Sequence, residues 1–367
     1  MRILIAGGGT GGHIYPALSI AKAVMQMDSK AAVEFVGTQA GLESQLVPKE
    51  NFKIHFIPIG RLNKNVSLKE RFKTLLQLPY AIFLSFVRVI QFKPDIVLGV
   101  GGYASGPLVF AAAMLKKTTL IWEPNAYPGL ANRILSKYVT LCLVVFKEAA
   151  QFLKNKNIVQ AHMPIRKEIE NFKPTVQRTA NFRIVVFGGS QGARPINQAM
   201  MRMVQMNLSW LSGVEIVHQT GPLDFESVQT EYKKRNIQSS QIEAHAYLYN
   251  MSERYAWADL IISRAGTGTI SELAACGKAA ILIPLPSAAD DHQTKNALAL
   301  SSMNGAVLLP QSELTPERLI KEIQKFKDNP KEVSKLEENI KKFHKPHAAE
   351  EIAKLIFKMV ESKATQS

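Results

Sequence analysis

Cysteine is scarce in this sequence: Cys142 and Cys276 are the only two in 367 residues, and neither sits in a C-x-x-C pair or at ligand spacing from histidines. That excludes a disulfide framework and a structural zinc site, and it fits a reducing compartment. The short apolar start is followed by no A-x-A site, so it reads as a strand and not as a secretory leader, and a cytoplasmic protein is expected. A kinase-type Gly-Lys-Ser/Thr loop is missing, and so is any D-x-D pair to carry a metal for a nucleotide-sugar. Zinc-finger, RNP-like and basic-aromatic patterns are absent as well, which argues against a nucleic-acid partner.

What is present points to a soluble globular chain, with 46% hydrophobic and 20% charged residues and length enough for two domains. The net charge of +15 is uneven: residues 1–165 carry 19 Lys and Arg against 8 Asp and Glu. A basic first half suits an anionic partner, either a phosphorylated substrate or an anionic membrane surface.

One local grammar occurs four times. "RILIAGGGTGGHIYPALS", "DIVLGVGGYASGPLVFAAAML", "FRIVVFGGSQGARPINQAMMRMV" and "DLIISRAGTGTISELAACG" each run from a β-branched strand through a Gly-rich turn into a helix. Strands of this kind form parallel sheets, and the pattern predicts an α/β protein of two doubly wound domains with its ligands at the strands' carboxyl ends. The polar stretch 161–182 marks the boundary, giving domains 1–162 and 163–344. A final amphipathic helix within 345–367 is expected to pack back on the first domain.

Residues 71–93, "RFKTLLQLPYAIFLSFVRVIQFK", are nearly all apolar from Leu75 to Ile90. The run falls short of the ~20 residues of a spanning helix, and Pro79 and Arg88 interrupt it. Three readings remain open: a buried core helix, an apolar patch ringed by Arg71, Lys73, Arg88 and Lys93 that dips into an anionic membrane face, or a true transmembrane span.

The letters G-x-G-x-x-G at the start are weak evidence for a dinucleotide. Nicotinamide binding also requires an acid at the end of the second strand, and "AVEFVG" ends in Gly37-Thr38. Backbone amides at glycine-turned helix tips bind phosphate equally well. Two such turns in each half suggest two diphosphates, one per domain, facing across a central cleft. A chain that joins two diphosphate-bearing substrates without a kinase loop suggests sugar transfer.

The segments "GGTGGHIYPAL", "GVGGYASGP", "WEPNAYPGLANR", "GGSQGARPIN", "SRAGTGTISELAACGKAAILIP" and "DDHQTKNA" together resemble the MurG family of bacterial glycosyltransferases (glycosyltransferase family 28), in order from residue 7 to 297. The resemblance implies a GT-B fold and an inverting, metal-independent reaction that needs no cofactor. GlcNAc passes from UDP-GlcNAc to the C4 hydroxyl of undecaprenyl-diphosphoryl-MurNAc-pentapeptide (lipid I), giving lipid II for peptidoglycan on the cytoplasmic membrane face. The enzyme would be peripheral there, beside other cell-wall synthesis proteins.

Carried over by position, the family's donor site takes Thr10, Gly11 and Gly12 of the first loop and Asn125 of "WEPN". Arg166 and Ser190 would hold the UDP diphosphate, and the Leu248 backbone would read uracil. Gly266, Thr267, Gly268, Thr269, Ile270 and Ser271 would form a loop over the nucleotide, with Glu272 on the ribose and Gln293 and His292 on the GlcNAc hydroxyls. Gly101, Gly102, Tyr103 and Ser105 would face the acceptor diphosphate. His13, at the mouth of the first loop, is the candidate general base, with Glu123 as the second choice. The family often has His where this chain has Trp122, so any role of that imidazole must pass to stacking or packing.

Alternatives are a family member acting on another lipid, a UDP-GlcNAc 2-epimerase, a nicotinamide-dependent oxidoreductase and a non-catalytic nucleotide-sugar sensor. An epimerase would need no apolar patch at 75–90.

Overall fold

The apolar run that opens the chain is a strand because it is enclosed: Ile3, Leu4, Ile5 and Ala6 are fully buried. In this computed structural model residues 1–9, 11–60, 66–172, 180–206 and 208–364 are described, so Thr10 lies outside the described residues. The chain divides into two units. One comprises Met1–Ile165, Ser287–His292 and His347–Ser367, and the other Arg166–Pro286 and Gln293–Pro346. The division thus falls at 165/166 and not at 162/163, and a short segment late in the chain goes with the first unit.

The first unit holds β1 (Arg2–Ala6), β2 (Ala32–Gly37), β3 (Lys53–Phe56), β4 (Ile96–Gly99), β5 (Thr118–Glu123), β6 (Leu141–Val144) and β7 (Ile158–Gln160). Their order is β3-β2-β1-β4-β5-β6-β7, and all neighbours run parallel. Strand order therefore reverses between β1 and β4, and the turns after those two strands lie side by side at the switch point where such sheets bind ligands. The C-terminal helix Ala348–Ala364 packs on the helix Gly11–Met27, with Ile352, Ala353 and Ile356 buried.

The second unit repeats the plan with β8 (Phe182–Phe187), β9 (Val214–Gln219), β10 (Ile242–His245), β11 (Leu260–Ser263), β12 (Ala279–Leu282) and β13 (Val307–Leu308). Their order is β10-β9-β8-β11-β12-β13, again parallel throughout. Two parallel, doubly wound sheets are what the repeated strand–glycine–helix grammar predicts.

The apolar segment is the helix Leu68–Phe92, started by a reciprocal Ser67–Glu70 capping box and stopped by Lys93 in the left-handed region (φ 50°). It is not a buried core helix. Ala81, Ser85, Val89 and Phe92 face inward, whereas Phe72, Leu76 and Phe83 are 64%, 66% and 60% exposed. The helix is long and apolar enough to cross a membrane by length and composition. Yet its C-terminal half is tied to the unit by an ion pair from Arg88 to Glu34 of β2. Arg88 therefore belongs to the inner face and leaves the expected basic ring, while Lys73 and Lys93 remain exposed.

Candidate active site

The turns after β1 and β4 interlock. Gly102 has φ +77°, and a Cβ there would fall 2.3 Å from the Gly8 carbonyl oxygen. Only glycine permits both the backbone conformation and the close approach. Tyr103 lies over the same turn, its ring 2.9 Å from where a Gly9 side chain would begin.

Beneath the turn lies a carboxylate that motif reading missed. Glu43 is fully buried; its Oε1 accepts from the Thr38 amide and hydroxyl, both at 2.9 Å, and its Oε2 accepts from the Gly9 amide at 2.9 Å. The acid sought at the end of β2 is therefore present, supplied from five residues beyond Thr38. It is engaged by the protein's own backbone and is not offered to a ribose. The only sequence signal for it is the glycine spacing: a Cβ at Gly8 or Gly41 would fall 2.2 or 2.0 Å from its oxygens.

His13 stands in the first turn of Gly11–Met27, half-buried, with Nδ1 3.0 Å from the Val100 carbonyl. A carbonyl only accepts, so Nδ1 carries the proton and Nε2 keeps its lone pair. Burial pushes the imidazole down to about 4; His292 also lowers it, against the raising effects of the Val100 carbonyl and Glu43. The ring is thus neutral at physiological pH, the form a general base requires.

Two assignments in this unit change, and one open alternative is resolved. Glu123 is buried with both oxygens engaged: Oε1 accepts from the Asn125 amide (2.9 Å) and side chain (3.2 Å), Oε2 from the Gly129 amide (3.0 Å) and Asn132 (2.9 Å). Burial raises its pKa. Such a carboxylate holds the "EPNAYPG" turn in shape and is not a free base. Ser105 is also fully buried: its hydroxyl lies within donating distance of the Ala6 carbonyl (2.8 Å) and the Gly101 carbonyl (2.7 Å) and accepts from the Gly101 amide at 3.1 Å. It ties the ends of β1 and β4 together and its side chain does not face a ligand. Trp122 is fully buried in β5, so packing is its role.

In the second unit, Gly266 to Ser271 are not a loop. Gly266 is the N-cap of the helix Thr267–Cys276, and no side chain caps it. Its N-terminus therefore presents the positive end of a helix dipole, the kind of end that can receive an anion. Ile270 is fully buried and Ser271 is 5% exposed, so backbone and not these side chains faces a ligand. Glu272 and Arg166 are brought together: Nε and Nη2 of Arg166 donate to Glu272 Oε1 at 2.9 and 2.8 Å, and the Tyr255 hydroxyl donates to Oε2 at 3.0 Å.

Ser190 is exposed on the turn after β8, beside Gly189 at φ +95°. Gln293 uses its side-chain oxygen to accept from the Ala265 and Leu285 amides at 3.2 and 3.0 Å. His292, in the segment that goes with the first unit, donates Nδ1–H to the Ala289 carbonyl at 2.7 Å. Leu248 is 4% exposed, so only its backbone can read a base, and the exposed rings of Tyr247 and Tyr249 flank it with centroids 4.8 Å apart. No group of three or more His, Cys, Asp or Glu side chains suited to a metal occurs among the described residues.

Residues 3–144 match the glycosyltransferase family 28 N-terminal domain and residues 183–356 the glycosyltransferase family 28 C-terminal domain. A relative from Bdellovibrio bacteriovorus is 44% identical over 97% of this chain and 98% of its own length. One from Myxococcus xanthus is 40% identical over 96% and 91%. Both carry the name UDP-N-acetylglucosamine–N-acetylmuramyl-(pentapeptide) pyrophosphoryl-undecaprenol N-acetylglucosamine transferase. The crystal structure of Acinetobacter baumannii MurG superposes with a TM-score of 0.80 at 29% identity, covering 97% of this chain and 99% of that one. A UDP-GlcNAc 2-epimerase from Neisseria meningitidis shares the fold alone, at 14% identity and a TM-score of 0.65 over 98% and 100% of the two chains.

Proposed function

The chain belongs to glycosyltransferase family 28, and from that membership we propose that it moves GlcNAc from UDP-GlcNAc to the C4 hydroxyl of lipid I, forming lipid II for peptidoglycan. It is an enzyme, a hexosyltransferase with the GT-B fold. The observation that carries the donor side is the uncapped tip of Thr267–Cys276 beside the Arg166–Glu272 pair. Amide N–H groups and a guanidinium meet the UDP diphosphate, and Glu272 turns to the ribose hydroxyls. Ser190 adds its hydroxyl, the Leu248 backbone reads uracil, and Gln293 and His292 reach the sugar.

On the acceptor side, the turn holding Gly101, Gly102 and Tyr103 meets the lipid diphosphate with the first glycine turn. His13 Nε2 takes the proton of the C4 hydroxyl as its oxygen attacks the anomeric carbon. The bond from that carbon to the diphosphate oxygen breaks, the configuration inverts, and UDP departs with the electron pair. Growing negative charge is met by fixed dipoles, without a metal in the step.

The exposed face of Leu68–Phe92 rests on the anionic membrane where the lipid acceptor resides, with Lys73 and Lys93 at its rim. This makes the enzyme peripheral, on the cytoplasmic face. Relatives 36% to 44% identical carry the transferase name, which disfavours the epimerase.

The test mixes the protein, UDP-GlcNAc and a short-chain lipid I analogue in EDTA and follows products by mass spectrometry. A disaccharide lipid with one UDP released per transfer is expected. UDP-ManNAc without lipid consumption would instead establish the epimerase.

A further inference from the structure

We infer that Arg264 is a positioning residue for the donor diphosphate, a buried cation two residues ahead of the N-cap of Thr267–Cys276 with no ion-pair carboxylate among the described residues. The inference rests on the donor site proposed above.

Arg264 follows β11 directly and is 8% exposed. Its Nη1 donates to the carbonyls of Ile283 (3.1 Å) and Pro284 (3.0 Å), and its Nη2 to Gln311 Oε1 (2.7 Å). All three acceptors are neutral. Burial alone perturbs the group, lowering its pKa, and no neighbouring carboxylate acts in the other direction. Neutral acceptors satisfy the N–H groups of a guanidinium but leave its charge in place, and an arginine does not shed its proton. A lone buried charge is costly, and such a site is best explained by an anion that arrives from outside.

The geometry says where that anion sits. Arg264 is separated from the N-cap Gly266 by Ala265 alone. The Ala265 amide shares the Gln293 side-chain oxygen with the Leu285 amide, at 3.2 and 3.0 Å, and Leu285 follows the Pro284 whose carbonyl holds the guanidinium. Asn296 secures the same turn from the other side, donating to the Ala265 carbonyl at 3.2 Å. The guanidinium's loop and the N-terminal end of the helix are thus clipped together, and the guanidinium charge and the helix dipole's end are of one sign. Arg166 touches the diphosphate from outside; Arg264 strengthens the field from within.

The test compares UDP and uridine, which differ only in the diphosphate, by calorimetry and saturation-transfer NMR on the full chain. Arg264→Gln is expected to weaken UDP by about tenfold or more while uridine changes by less than about twofold. Arg264→Lys, which retains the charge, is expected to keep the ratio of the two affinities within about threefold of wild type. That arm stands even if the glutamine variant does not fold. Equal losses for UDP and uridine, or a lysine variant that loses the preference for UDP, would overturn the assignment and leave Arg264 as a strut. Wild-type protein that takes up neither compound would overturn the donor site itself.

Discussion

Arg166 and Glu272, 106 residues apart in sequence, meet through two hydrogen bonds on a single carboxylate oxygen. The pair holds the guanidinium against the helix Thr267–Cys276, and the Tyr255 hydroxyl donates to the second oxygen. Each partner is thus placed by the other before any substrate arrives.

With the proposed donor site, removing Glu272 costs twice, once in the ribose contact and once in the placement of Arg166. Glu272→Ala is expected to raise KM for UDP-GlcNAc by roughly tenfold or more, as hydrogen bonds to charged groups contribute about 1.5–3 kcal/mol. Steady-state kinetics at saturating acceptor measures it, and an unaltered KM would remove the ribose role.

His13→Ala is expected to lower kcat by about 10²–10⁴-fold with donor affinity largely kept. Because burial holds the imidazole near 4, the acid limb of the wild-type rate profile should fall through about pH 4 and not near 6.5. Glu123→Gln separates the two candidates. It should lower the melting temperature by disturbing the four hydrogen bonds of its turn while leaving the shape of the pH profile intact.

His218 sets an acid limit on the second unit. The Tyr232 hydroxyl donates to its Nδ1 at 2.8 Å and its Nε2–H donates to Asn197 at 3.1 Å, and burial pushes its pKa down to about 3 from 6.5. The fold thus favours the neutral ring, and the unfolded chain binds the proton first. The contribution to stability is complete above about pH 6.5 and is lost as pH falls from there toward 3. Melting temperatures from pH 7 to 4 should decline in wild type, and the decline should flatten in His218→Gln.

Phe72→Asp with Leu76→Asp should leave the fold intact, since these side chains are 64% and 66% exposed. Co-sedimentation with phosphatidylglycerol vesicles should drop by about tenfold or more, from lost apolar burial of about 1.5–3 kcal/mol per side chain. Turnover of a water-soluble acceptor should be unchanged. Equal vesicle binding by the double variant would move the membrane contact elsewhere.

The parallel sheets could be read from the sequence because β-branched runs ending in glycine have one common use. Arg166 and Glu272 came to notice only through family likeness, and each was assigned a separate contact; their pairing depends on packing across the unit. Glu43 escaped because its partners, Gly9 and Thr38, lie on different strands' ends and no local pattern joins them. Ser105 and Glu123 read as ligand contacts by family likeness for the opposite reason: a motif does not show which polar side chains bond nearby backbone, as Ser105 does with Ala6 and Gly101 and Glu123 with Asn125 and Gly129. The helix Leu68–Phe92 was ambiguous because mean hydropathy does not say which side of an amphipathic element faces a core.

The helix Ala348–Ala364 packs on Gly11–Met27, in the unit whose first strand begins at Arg2. The first unit thus joins segments separated by most of the sequence, whereas both segments of the second unit lie between residues 166 and 346. A premature stop just before residue 347 would leave the latter intact and uncover the apolar side of Gly11–Met27, turning the nascent first half into a client for chaperones and proteases.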